Sequence, residues 1–361
     1  MDGVVNGNPD GPQAKANPWA QKWFWRWLVS VVGVMIVLTI ILNIVVNPFK
    51  LYYFNFFPPA EVNVRELKGD LIRKAIPPPQ VLIIGSSRVM SFDPEYVTRL
   101  TGQPCFNFGG PAAMAEDYYA TLRYVREDCG APIDTVIVGV DLEAFHPTLP
   151  TQAQGRFLAD YAKYYSQKEN PDELLVKRLT MLLSMEQTGE SIAVLQRALR
   201  REAGRPNMEY RNDGMAIMAS READIKKGKF NLEQRIALRV RRYPERSLAL
   251  PSYTDLSATR RDYWMKFLDY CGDNGIKIYA FMTPYHPEVL QVIRLQGGVR
   301  VIDKVHDYVS QTTSAAHVTF RDYTQVGNFG GDPELFYDEI HMRPENCNRL
   351  LWSLLRGSAV E

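Results

Sequence analysis

Twenty consecutive residues near the amino end, Trp27 to Val46 (WLVSVVGVMIVLTIILNIVV), carry no charge. Wound as a helix at about 1.5 Å per residue, such a run covers about 30 Å, the hydrocarbon thickness of a bilayer. One membrane-spanning anchor over residues 23–47 is therefore expected, with residues 27–46 in contact with lipid. Trp23, Trp25 and Trp27 crowd its start and Tyr52, Tyr53 and Phe54 follow its end, as aromatic side chains do at the two interfaces. Asn43 is the only strongly polar side chain inside the run. Lys15, Lys22 and Arg26 precede it and only Lys50 follows closely, so the positive-inside bias puts a disordered tail, residues 1–22, in the cytoplasm. A cleaved signal peptide or a buried core helix is the competing reading. The signal peptide is disfavoured by the length of the run and by an end, NPFKLYYFNFF, that offers no small-residue cleavage site. The expected location is the cytoplasmic (inner) membrane, crossed once, with the main domain periplasmic or extracellular.

The chain has 361 residues, with 42 Lys and Arg against 41 Asp and Glu. A formal net charge of +1 supplies no global attraction to nucleic acid, and none is expected as a partner. Cys105, Cys129, Cys271 and Cys347 show no CxxC or other ligand spacing, so neither metal nor cofactor is expected. In an exported domain Cys105 and Cys129 are the likelier couple for a disulfide, and buried thiols are the alternative.

Residues 48–79, broken by prolines, read as a connector. The apolar run Val81–Ile84 then meets Gly-Ser-Ser-Arg, as a buried strand meets a turn. Further strands are expected at Cys105–Phe108, Asp134–Val140, Ile276–Met282 and His317–Phe320. Helical spacing falls in the segment 109–130, at Thr259–Cys271, at Val299–Thr312 and at Pro344–Leu355. This alternation predicts an α/β fold with a doubly wound parallel sheet over residues 80–358. Between about 151 and 257 no sheet strand is legible, and the Arg-rich sequence reads as a helical insertion. Its basic residues are either a solvated face or a site for an anionic ligand.

Ligands of parallel α/β sheets sit at the carboxyl ends of strands. There the chain places Gly85, Ser86, Ser87 and Arg88, then Asn107, Gly109 and Gly110, then Asp141 and Glu143, and then Thr283, Tyr285 and His286. Ahead of the last helix comes FYDEIHMRPEN, with Asp338 and His341 three residues apart. Acyl transfer needs a hydroxyl nucleophile, a base, a carboxylate to orient the base, and N–H donors for the oxyanion. All four are represented.

The blocks VLIIGSSR, NFGGPAA and FYDEIHMRPEN, in this order, resemble the SGNH (GDSL-like) hydrolase superfamily. The single anchor, the GSSR variant and the TPYHP segment are most similar to the branch of the DltD protein of teichoic-acid D-alanylation and the AlgJ and AlgX alginate acetyltransferases. The resemblance implies Ser87 as nucleophile, His341 as general base and Asp338 as its orienting acid. It implies an oxyanion hole from the N–H groups of Ser87 and of the second block, where Gly109, Gly110 and Ala112 are the candidates and Pro111 occupies one usual place. Arg88, Asn107, Asp141 and His286 are the expected substrate contacts. The family's third block ends in Gly-x-Asn, whereas this chain has Gly139-Val140-Asp141, and an ionised aspartate cannot donate as asparagine does.

What the resemblance implies is a membrane-anchored serine O-acyltransferase or esterase acting on a cell-envelope glycan or polymer, beside a multi-spanning membrane acyltransferase as partner. A non-catalytic SGNH-like polysaccharide-binding or scaffolding protein is the alternative, with Asp141 as its support. A tethered lipase or thioesterase is a third reading, which predicts an apolar groove.

Overall fold

The structure, a computed structural model, describes residues 18–48, 56–57, 63–149, 163–164, 176, 179–200, 208–242, 253–314 and 318–357. The chain forms two compact units, residues 1–61 with 170–202 and residues 62–169 with 203–361.

In the larger unit five strands, β1 (Val81–Ile84), β2 (Cys105–Asn107), β3 (Thr135–Val140), β6 (Lys277–Met282) and β7 (Val318–Asp322), make one sheet in the order β2-β1-β3-β6-β7. Every pairing in it is parallel. Strands β1 and β3 are buried along their whole length, as the unbroken Val/Ile runs require of strands covered on both faces. From β1 the chain turns outward to β2 and then back across to β3, so the strand order reverses between β1 and β3. The helices of this unit are α2 (Val64–Arg73), α3 (Pro94–Thr101), α4 (Ala115–Arg123), α6 (Ala219–Lys226), α7 (Leu232–Arg242), α8 (Ala258–Asp273), α9 (Pro287–Ile293), α10 (Val299–Thr312) and α11 (Pro344–Arg356). The smaller unit holds α1 (Pro18–Val46) and α5 (Met185–Leu199). Helix α1 is long and apolar enough over Gln21–Val46 to cross a membrane or to be a signal sequence.

The α/β fold agrees with the sequence reading, and most strand limits fall within a residue or two of it. Four points differ. Helix α1 begins at Pro18, inside the tail expected as disordered over residues 1–22. Inside the expected connector, α2 forms because Asn63 accepts the Glu66 N–H at 3.2 Å and caps the first turn. Its inward face carries Arg65 and Lys68 among Val64, Gly69 and Ile72, and charged residues at core positions hide the apolar period. The segment expected as one insertion divides, residues 170–202 belonging with α1 and the remainder with the sheet. It also contains a two-stranded antiparallel hairpin, β4 (Glu209–Tyr210) and β5 (Ala216–Ile217), too short to register as strand periodicity. Cys105 is a buried thiol, not joined to Cys129. His317 lies outside the described residues.

Candidate active site

Strand β1 ends at Gly85, whose φ of +145° lies where side chains other than glycine's are strained. The chain then makes one tight turn, Ser87–Val89, that drives Val89 between the ends of three strands. A methyl at Gly85, Gly109 or Gly139 would meet the Val89 side chain at 3.0, 2.7 or 2.5 Å, so the close approach depends on glycine in all three blocks. The two serines part company here. Ser86 is buried, and its Oγ accepts the Arg88 N–H at 3.2 Å to cap the turn. Ser87 is half-buried, and its Oγ lies 2.9 Å from His341 Nε2. His341 Nδ1 is 2.9 and 3.0 Å from the two carboxylate oxygens of Asp338.

Asp338 is held by its own loop, accepting the backbone N–H groups of Ile340 at 3.1 Å and His341 at 2.9 Å. Burial alone would push this carboxyl up. The hydrogen bond and charge of His341, the Arg221 guanidinium and the Ile340 N–H together outweigh burial and hold it well below the usual carboxylate range. An ionised aspartate on Nδ1 fixes the tautomer that leaves Nε2 facing the serine hydroxyl. Ser87, His341 and Asp338 thus stand in one hydrogen-bonded line at the sheet's switch point, drawn from opposite ends of the chain, an arrangement able to serve as nucleophile, base and orienting acid.

The other expected site residues serve different ends. Arg88 is buried, donating to Thr283 Oγ1 at 3.1 Å, to the Glu143 carboxylate at 3.0 and 3.1 Å and to Tyr285 OH at 2.7 Å. Its guanidinium also lies over the Tyr285 ring and 3.6 Å from Asp141. Asp141, buried, accepts the Thr283 hydroxyl at 2.7 Å. Asn107, buried, donates to the carbonyls of Val89, Met90 and Phe92 and accepts the Gly109 N–H. His286, buried, stands edge-on to Phe336, and its backbone N–H donates to Glu339 O. Of the four expected substrate contacts, Arg88, Asn107 and Asp141 are thus engaged by neighbouring protein groups, whereas the buried Nδ1 of His286 has no hydrogen-bond partner among the described residues. Charged and amide groups at adjacent strand ends satisfy one another, as buried polar groups must.

The oxyanion candidates divide as well. The Gly109 N–H is taken by Asn107 Oδ1 at 2.9 Å and the Gly110 N–H by Gly85 O at 3.0 Å, so neither glycine is free to bind an oxyanion. The Ser87 N–H opens its turn, where no acceptor exists within the turn itself. Ala112 has φ +47°, a left-handed conformation for a residue with a Cβ, and the Pro111 carbonyl before it accepts from Arg65 Nη2 at 3.2 Å. In a trans peptide the C=O and N–H point opposite ways, so this bond polarises the Ala112 N–H as a donor.

Sequence reading passed over a second ring of residues. Fully buried Lys68 donates to Gly109 O at 2.7 Å, and Arg65 pairs with Asp117 at 3.2 Å, so α2 grips the second block from behind. Burial holds the Lys68 ammonium well below its ordinary pKa. From the Arg-rich segment, Arg221 pairs with Asp338 at 2.6 Å and Arg239 with Glu339 at 3.1 Å, while the Tyr337 hydroxyl donates to Glu222. Helices α6 and α7 therefore hold the loop that carries Asp338 and His341, and these two arginines are engaged in ion pairs. No local signal marks such pairs.

The Arg221 charge is one of the groups that hold the Asp338 carboxyl low, so Arg221→Gln is expected to move the acid limb of the pH–rate profile to higher pH, modestly because the pair is partly exposed. An unmoved limb would mean that Arg221 serves packing alone.

No family model matches the chain, and no curated protein matches it. Among solved structures it aligns with one from Streptococcus pneumonia, provisionally described as a platelet activating factor, over 94% of this chain and 98% of that one. The identity is 11% and the TM-score 0.34, a likeness that carries no argument about fold or function.

Proposed function

We propose that the chain is a membrane-anchored serine esterase or O-acyltransferase of the SGNH type, acting on a cell-envelope polysaccharide or polymer through an acyl-Ser87 intermediate. The observation that carries this reading is the unbroken line Ser87 Oγ, His341 Nε2, His341 Nδ1, Asp338, with both links at 2.9 Å. As Ser87 Oγ attacks an acyl carbonyl, its proton passes to His341 Nε2, and the carbonyl oxygen takes up negative charge facing the N–H groups of Ser87 and Ala112. Collapse expels the alcohol, which receives the proton from His341, and leaves an ester on Ser87. A sugar hydroxyl or water, deprotonated by the same imidazole, then releases the acyl group. The anchor reading of α1 puts this chemistry outside the cytoplasmic membrane, where a multi-spanning acyltransferase is the fitting acyl source. Asp141 in place of asparagine gives the scaffold alternative no support, because Arg88 and Thr283 supply its structural reason.

The test is covalent labelling of the detergent-solubilised full chain with a fluorophosphonate. One adduct per chain is expected, on the peptide containing Ser87, and absent in Ser87→Ala. An adduct of unchanged yield in that variant would sink the assignment. Release of p-nitrophenol from its acetate, with and without an oligosaccharide acceptor, then separates hydrolysis from transfer.

A further inference from the structure

The smaller unit contains a second exposed apolar surface besides α1. Asn43, the one strongly polar residue of the spanning run, is fully buried against residues 182–191. Its amide donates to Leu182 O at 2.8 Å and Thr188 Oγ1 at 3.0 Å, and its carbonyl oxygen accepts the Ser191 hydroxyl at 2.7 Å. Gln187 donates to the Asn43 backbone carbonyl at 3.4 Å. The polar face of α5, Gln187, Thr188 and Ser191, is therefore turned onto the anchor. Asn43 lies three residues before Val46, the helix's last residue, or about 4.5 Å along its axis. These contacts set α5 level with one end of the apolar run.

The outward face of α5 follows helical spacing through Met185, Gly189, Ile192, Gln196 and Leu199 and contains no charge. Met185 is 89% and Leu199 83% exposed. The half-exposed Glu190 and Arg197 stand about a third of a turn to one side. Before α5, the helical residues Val176 and Leu179 and the turn residue Leu183 are also exposed. Uncharged faces of this kind, fixed beside the end of a lipid-spanning helix, match segments that lie in the interfacial layer of a bilayer. We propose that Val176 and residues 179–199 form a second membrane contact, lying along the bilayer surface at the carboxyl end of α1, with Met185, Ile192, Leu199, Leu179 and Leu183 in contact with lipid. It rests on the reading of α1 as a membrane span.

Single cysteines introduced as Met35→Cys, Leu179→Cys, Ile192→Cys or Glu190→Cys into the full chain carrying Cys129→Ser, labelled in detergent with a nitrobenzoxadiazole fluorophore and reconstituted into phosphatidylcholine/phosphatidylglycerol vesicles, test this. At Leu179 and Ile192 nitroxides near the lipid headgroup are expected to quench several-fold more than aqueous iodide, and at Glu190 the order reverses. At Met35 nitroxides deep in the acyl chains quench best. If Met35 is lipid-quenched while Leu179 and Ile192 respond to iodide as Glu190 does, the interfacial contact is overturned and the span stands. Shielding of Leu179 and Ile192 from both quenchers assigns the face to protein, a second copy or another membrane protein, and also overturns it. Absence of lipid quenching at Met35 overturns both.

Discussion

Asp338→Asn is expected to lower the rate of acyl release by about 10⁴-fold while leaving the fold and the position of Ser87 in place, because an amide can donate to Nδ1 and so stabilise the wrong imidazole tautomer. Fluorophosphonate labelling of Ser87 should slow to a similar degree yet still reach one adduct per chain. A loss below about tenfold would show that the carboxylate is not what orients His341. The same carboxylate ties stability to pH. Its pKa is depressed in the folded protein, so its contribution is present above the unfolded value, near 4, and is lost as the pH falls through the depressed one. The Asn variant should therefore be flatter than the parent in acid unfolding below about pH 4.

Arg88→Leu is expected to destabilise the larger unit by about 3–5 kcal/mol, which for a domain of this size is roughly 6–12 °C in thermal midpoint. Burial works against the guanidinium's charge, but Glu143, Tyr285 and Asp141 outweigh it and raise its pKa further above the ordinary arginine value. Removing it leaves two carboxylates at neighbouring strand ends without their cation, beside the turn that carries Ser87. Asp141→Asn should cost much less, since Glu143 and Tyr285 still hold Arg88 and the amide oxygen still accepts from Thr283. Equal midpoints for Arg88→Leu and the parent would mean that the cluster is solvated.

The elements that were legible share a property. Val81–Ile84 and Val136–Val140 are unbroken apolar runs, Val299–Thr312 keeps helical spacing, and Asp338 and His341 are three residues apart, so each signal fits in a short window. Helix α2 was missed because Arg65 and Lys68 occupy its core positions, and a buried charge is written with the same residue as a solvated one. The protein partners of Arg88, Asn107 and Asp141 were not legible for a related reason. Position at a strand end says that a polar group is near the site, but whether it faces ligand or neighbour depends on what the next strand brings.

Local chemistry in the chain was sufficient for the apolar span, the parallel α/β class and the residue types of an acyl-transfer site, because hydrophobic period and motif spacing act over a few residues. Assembly was decided elsewhere. Ser87 and His341 meet across 254 positions, Arg88 and Thr283 across 195, and Arg221 and Asp338 across 117. Such pairs obey no local period. They arise when a sheet brings strand ends together, and the cost of leaving a buried polar group unpaired then selects its partner from whatever side chains arrive there.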